Sequence, residues 1–504
     1  MMNKKVFMIG LMSAVCLTIQ AQNPYEAANF STSDLNGTAR YVGMGGALSA
    51  LGGDISTMST NPAGTGMFRK SEFSITASAV ISGTSGVLGE STSKASFDQA
   101  GLVVALPTDD VNVQGMTFGL NINKHKNFFG NVDTDVYGLN GVFSQTNQIA
   151  GLANEALRND NWQGALADMS AAMYSDKGEL QKAGILNETY ELGDDNVYHL
   201  AGYEGVGAQA AHYQRSTWGS NMSVDMNFSI NLKNQYFIGA AVSVYDIESR
   251  RNSMYEELGV DNSYFDFTNY YDTKGSGISI KLGTIIRPIE ESPFRFGVFI
   301  HTPTWYTLED INGSELYLGD CFVSRKDFDP YQYRLRSPWR FGLSLGTTVG
   351  NYFAVGAEYE FQDLSTNHYS QRGGGNSSYF NYQNNMMNKV LKGQHTLKIG
   401  MEVKPADAFS IRCGYNFLSA PMKSDGYNIL AYDGVMTETD FTNWKDTHRF
   451  TFGLGYRFKG GYIDMAYQYN TQKGDFYAFD DQMLPATEIK NNRSQIMATL
   501  GLRF

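Results

Sequence analysis

Residues 449–458 read Arg-Phe-Thr-Phe-Gly-Leu-Gly-Tyr-Arg-Phe, and their alternation decides the fold. Side chains of an extended chain point in turn to opposite faces. Phe450, Phe452, Leu454, Tyr456 and Phe458 therefore share one wholly apolar face, and Arg449, Thr451, Gly453, Gly455 and Arg457 share a small or polar one. The same rhythm recurs in Phe353, Val355, Ala357, Tyr359 and Phe361, in Phe409, Ile411, Cys413, Tyr415 and Phe417, and in Ile463, Met465, Tyr467 and Tyr469. Several of these faces end in Tyr or Phe, residues that favour the boundary between water and bilayer.

Working outward, about fourteen such segments are found, near 72–80, 96–105, 116–124, 222–231, 235–249, 277–287, 294–302, 338–349, 351–362, 394–404, 409–417, 447–457, 462–472 and 494–504. Each is close to the ~9 to 11 residues a tilted transmembrane strand needs. From the second segment on, links that follow an even-numbered strand are short, as at Lys233-Asn234 and Gly350, and links that follow an odd-numbered one are long. A soluble sandwich has no reason to sort its connections, whereas outer-membrane barrels pair short periplasmic turns with long external loops. The spacing predicts an all-β fold, a transmembrane antiparallel β-barrel of about fourteen strands that closes on Ile496, Ala498, Leu500, Leu502 and Phe504.

Composition excludes several other classes. The 504 residues carry only 18% charge and a net charge of −12, and the densest basic run is a pair such as Arg250-Arg251, so nucleic acid is not an expected partner. A mean hydropathy of −0.31 argues against a bundle of membrane helices. Three cysteines are too few for a disulfide scaffold. Lys4 and Lys5, an apolar run over 6–19 and Ala21 read as a signal peptide over 1–21, which implies export.

Two regions lack the strand rhythm. Residues 22–70 are rich in glycine, reading Asp34-Leu35-Asn36-Gly37, then Gly43-Met44-Gly45-Gly46, then Gly52-Gly53-Asp54-Ile55-Ser56 and Asn61-Pro62-Ala63-Gly64. No strand precedes these glycines and the Lys-Ser/Thr pair of a phosphate loop is absent, so a compact segment folded in a confined space is expected instead. Residues 125–221 form a long external link with helical spacing, first Ile149, Leu152, Ala153 and Ala156, then Trp162, Leu166, Met169 and Met173. Residues 372–388 read as a polar loop.

The signal peptide, the early glycine-rich segment, Gly53-Asp54-Ile55-Ser56 followed by Asn61-Pro62-Ala63-Gly64, and the strand count together resemble the FadL/TodX family of outer-membrane transporters for hydrophobic compounds. The resemblance implies a hatch over 22–70 inside a barrel formed by 71–504, with Gly53, Asp54, Asn61, Pro62, Ala63 and Gly64 as its motif. It also implies capture of a long-chain fatty acid or similar compound by external loops, movement of the hatch, and sideways exit at a kinked third strand, near Gly119 or Gly130. The family's capture groove is usually built by loops three and four, whereas the largest link here is the second.

Trp162, Leu166, Met169 and Met173 are candidate capture residues, Met being adaptable to varied ligands, although the two apolar faces equally suit a lid packed on itself. The seven histidines form no i,i+4 pair or Cys/His cluster and no Gly-x-Ser-x-Gly elbow occurs, so neither cofactor, metal nor enzymatic activity is expected. The expected partners are a small hydrophobic molecule and outer-membrane lipid, with the chain a monomer. The alternative is a barrel with a static plug whose external loops bind a ligand, haem included, or a host surface. A continuous apolar pocket beneath the hatch would favour transport, and a charged, filled lumen the plug.

Overall fold

The computed structural model describes residues 22–83, 92–145, 208–259, 264–318, 321–327, 329–373, 380–429, 440–481 and 483–504. The proposed signal peptide and the capture residues Trp162, Leu166, Met169 and Met173 lie outside the described residues.

Nineteen strand segments join one antiparallel sheet that closes on itself, and several are continuations of one another, which leaves fourteen staves. In chain order these are Glu72–Ser82, Ser93–Pro107, Val113–Asn127 continued by Gly130–Val136, Ala210–Leu232, Tyr236–Leu258, Tyr264–Ile286 and Arg295–His301 continued by Trp305–Leu318. The eighth comprises Cys321–Asp327, Tyr331–Arg336 and Arg340–Val349, and the ninth Phe353–Asp363 and His368–Gln371. Gly393–Ala406, Phe409–Leu418, Thr442–Phe458, Gly461–Phe476 and Thr487–Arg503 complete the ring. The first stave pairs with the last from Glu72↔Arg503 to Ser82↔Arg493.

Alternation sorts the two faces as the sequence requires. Phe118, Leu120, Ile278, Leu282, Phe341, Leu343, Phe450 and Phe452 are exposed on the outer belt. Asn121, Asp225, Lys281, Glu358, Lys398, Arg412 and Gln468 are buried within the barrel. Cys413 is exposed on the outer face. Charge buried this deeply persists only when it is paired. Lys398 Nζ accordingly lies 2.7 Å from Glu358 and 2.5 Å from Glu360, and Lys281 Nζ lies 3.1 Å from Asp225.

Four expectations about the links are corrected. Residues 250–276 are not a loop: the fifth stave runs to Leu258 and the sixth starts at Tyr264. Residues 303–337 likewise continue the seventh and eighth staves. Beyond the bilayer the alternation continues with its sense reversed, Tyr255, Phe265, Phe267 and Tyr271 facing inward and buried, so a search for outward apolar residues stops too early. The link read as 125–221 is narrower, because the third stave extends to Val136 and the fourth starts at Ala210. Within 372–388 the polar reading also fails, since Asn381–Val390 is a helix. Gln383, Met386, Met387 and Val390 fall on one buried face of it at helical spacing, a stripe too short to stand out among the asparagines.

Residues 22–68 thread the lumen. A helix over Pro24–Ser31 leads to a short helix over Ala39–Gly43 and then to 3₁₀ turns over Ile55–Ser59 and Pro62–Met67. Every one of these begins on a side chain that accepts a backbone N–H: Asn23 from Glu26, Thr38 from Tyr41, Asp54 from Ser56 and Asn61 from Ala63. Such caps satisfy amides that the first turn leaves orphaned. They let four short turns persist where a long helix would not fit.

Candidate gate formed by the hatch and the third stave

The motif residues anchor the hatch. Asn61 is fully buried; its Nδ2 donates to Ser49 O at 3.1 Å and to Thr284 O of the sixth stave at 3.2 Å. Pro62 O accepts from Asn227 Nδ2 and Ser229 Oγ, both at 3.2 Å. Ala63 and Asn61 reach the wall because Gly239 and Gly283 face them, and a methyl group built at either glycine would overlap the hatch. Asp54 accepts from Thr38 Oγ1 at 2.8 Å and from Ser56 N at 3.0 Å. Gly53 has a φ of +65° and joins Gly64 through a 3.0 Å backbone bond, while its carbonyl accepts from Arg40 Nη1 at 2.9 Å.

The wall itself is incomplete beside the hatch. The second and third staves pair only from Gln99↔Asn123 to Pro107↔Gly115. Above that level Ser93–Phe97 pair with the first stave, and 124–127 pair with the fourth alone. The third stave then breaks at Phe128 and Phe129 and resumes at Gly130. Residues 124–127 thus form an edge whose side toward the second stave meets no strand among the described residues. An open edge presents unpaired backbone groups, which elsewhere in a barrel are met by the next strand.

Here the hatch meets them. Asp34 N donates to His125 O at 2.7 Å, and Asn36 Nδ2 donates to Lys124 O at 3.2 Å. Asn127 N donates to Asp34 Oδ2 at 3.1 Å. The same Asn36 amide reaches Asp98 Oδ1 on the second stave at 3.1 Å, so one side chain spans the seam. Arg493 of the last stave locks the arrangement, donating to Asp34 Oδ2 at 2.8 Å and to Asn127 O at 3.1 Å. Residues 34–36 stand in for a missing strand. None of these seam residues was singled out from the sequence, although Asp34-Leu35-Asn36-Gly37 belongs to the glycine-rich stretch quoted above.

Of the two kink candidates, Gly119 lies in the regular ladder, paired with Val103 and Asn227, where a Cβ would overlap the Met58 side chain of the hatch. Gly130 is the first residue after the interruption, and a Cβ there would come no closer than 3.7 Å, to Thr217 Oγ1.

Directly above the seam is a cavity of about 210 Å³, bounded by Tyr25 of the first helix, Phe128, Phe129 and Gly130 of the interruption, and Trp444. Five bases, Lys126, Arg215, Arg251, Arg449 and Arg493, face three acids, Glu26, Asp34 and Asp440, across it. Arg251 Nη1 pairs with Glu26 at 2.7 Å, and Arg215 pairs with Asp440. Beneath the hatch, at the short-turn end, a second cavity of about 280 Å³ is walled by charge. There Arg412 lies 2.6 Å from Glu402 and 2.7 Å from Asp464, and Arg40 lies 3.3 Å from Glu402. A continuous apolar channel does not run through the described residues under the hatch.

An exposed apolar belt, a closed ring and an internal hatch define a β-barrel of the FadL/TodX fold. Among solved structures, the Pseudomonas putida toluene transporter TodX matches with a TM-score of 0.51 and 13% identity over 94% of this chain and 99% of that one. The CymD monoaromatic hydrocarbon channel matches with a TM-score of 0.50 and 10% identity over 94% and 98%. A Pseudomonas aeruginosa FadL homologue covers the same shares at 12% identity and a TM-score of 0.48. No family model matches the chain, and no curated protein does.

Proposed function

We propose that the protein is a passive channel for small hydrophobic compounds, which enter the cavity above the hatch and leave sideways into the membrane through the seam between the second and third staves. The observation that carries this reading is the edge at 124–127, closed by hatch residues 34–36 instead of a strand. Its support is physical. A greasy molecule gains nothing by crossing the charged space beneath the hatch, where the ion pairs would lose their solvation and partners. A lateral route opens directly onto the apolar outer belt and needs only that residues 34–36 withdraw. The solved channels of the same fold are described as carrying toluene or monoaromatic hydrocarbons. In this chain the excess of bases around the upper cavity favours a ligand with an acidic head, such as a long-chain fatty acid, over a neutral hydrocarbon.

The test is a reversible lock. In a background lacking Cys321 and Cys413, Asn36→Cys and Asp98→Cys are joined by a short thiol cross-linker, and uptake of labelled fatty acid and labelled toluene into proteoliposomes is followed. Cross-linking stops uptake and thiol reduction restores it, with the acid taken up faster than toluene. Flux equal to that of empty liposomes would sink the channel reading. One observation favours a second reading, a static plug with binding loops: the lumen beneath the hatch is walled by ion pairs and not by apolar side chains. No flux at all belongs to that reading, and flux that ignores the lock would overturn the seam as the exit.

A further inference from the structure

Where the sixth to ninth staves leave the lipid belt, their outward residues line up in rows. Ile278, Trp305, Arg336 and His368 are successive cross-strand partners. Ser276, Thr307, Arg334 and Ser370 form the next row outward, and Lys274, Glu309 and Gln332 the one beyond. Strands lie ~4.8 Å apart and same-face residues ~6.8 Å apart along a strand. Two guanidinium groups, one ammonium and three hydroxyls therefore share a patch roughly 15 Å across.

Its height is fixed by its neighbours. Ile278 is 46% exposed on the belt, and Trp305 and Trp339 are 48% and 47% exposed, in the position that tryptophan takes at the head-group level. Arg334 and Arg336 are both exposed, and neither makes an ion pair or side-chain hydrogen bond among the described residues. The carboxylate within these rows, Glu309, accepts from Gln332. On the fifth stave the rows end in Asp246 beside Ser276 and Glu248 beside Lys274, and Glu248 is matched by Arg250 Nη2 at 2.5 Å.

We propose that this patch binds the phosphate groups of a phosphorylated glycolipid in the outer leaflet. A guanidinium matches two phosphate oxygens at once, the ammonium adds a point charge, and Ser276, Thr307 and Ser370 supply hydroxyl donors. Trp305 in the same row as Arg336 sets the cations at head-group depth, where a lipid is held by its own chains and a soluble anion is not. The inference does not depend on what the lumen carries.

The experiment uses the full protein, delipidated and refolded in neutral detergent, titrated with bisphosphorylated lipid A, dephosphorylated lipid A and inorganic phosphate. Binding is read by native mass spectrometry and by the rise in melting temperature. The bisphosphorylated lipid binds, and the Arg334→Gln/Arg336→Gln protein binds it at least about tenfold more weakly. Arg250→Gln retains wild-type binding, and Arg334→Lys/Arg336→Lys is intermediate because it keeps charge but loses the two-oxygen geometry. Equal binding of the two lipids, equal occupancy by inorganic phosphate, or unchanged binding in both double variants would each overturn the proposal.

Discussion

Asn61 shows how much one side chain contributes when it serves two bodies. It caps a turn of the hatch and also donates to a carbonyl of the sixth stave. Asn61→Ala loses a cap worth ~1 kcal/mol and strands the buried Thr284 carbonyl of the wall at ~1 to 3 kcal/mol. Hatch docking should weaken by ~2 to 4 kcal/mol, read as faster proteolysis within the hatch while the barrel keeps its heat-resistant electrophoretic form. At Asp34 the issue is charge. Burial pushes its carboxyl up, but Arg493, Arg449 and Lys126 outweigh this and hold it down at about 2. A carboxylate lowered in the folded state stabilises above its free value of ~3.9 and loses that contribution as the pH falls through the folded value. The seam clamp should therefore be complete at neutral pH and release as the pH drops from about 4 to about 2. In planar bilayers, wild-type conductance stays quiet at pH 7 and becomes noisy in that acid window. Asp34→Asn is noisy already at pH 7. Asp54 and Asn61 stood out in the sequence only through the motif that the resemblance supplied, and the structure adds that each caps a turn. The role of Asp34 was not readable, since Arg493 lies 459 residues away.

For the elements, the third stave is where reading and structure divide. Its alternation and its two notable glycines stand in the sequence, but their roles differ for reasons that only the neighbour across the lumen reveals. Gly119 makes room for Met58, whereas Gly130 has space around it. Gly119→Val should displace the 3₁₀ turn that carries Met58 and raise leak conductance, while Gly130→Ala leaves both conductance and melting temperature near wild type. The reverse pattern would mean that backbone freedom at Gly130, and not packing at Gly119, shapes the stave. All fourteen staves could be found from period-two patterning, because contact with lipid imposes it. The projecting ends of the fifth to ninth staves could not, because there the apolar face turns inward, with Phe265, Phe267, Tyr333 and Tyr369 in one buried cluster.

The whole molecule is longer than a membrane requires. The fifth and sixth staves run 23 residues each, against the ~9 to 11 that cross a bilayer. Roughly half of that ladder stands outside, and its inward face carries the buried Tyr255, Phe265, Phe267 and Tyr271. The ring closes through the first and last staves, yet the hatch touches most of the circumference, Ala39 at Thr499, Asn61 at Thr284 and Ser49 at Glu358. An object so fully enclosed cannot be threaded in afterwards. Assembly therefore has an order: residues 22–68 must already lie within the curling sheet when its two end strands meet. A barrel made without that segment should not regain protease resistance when the missing peptide is supplied separately, however high its concentration.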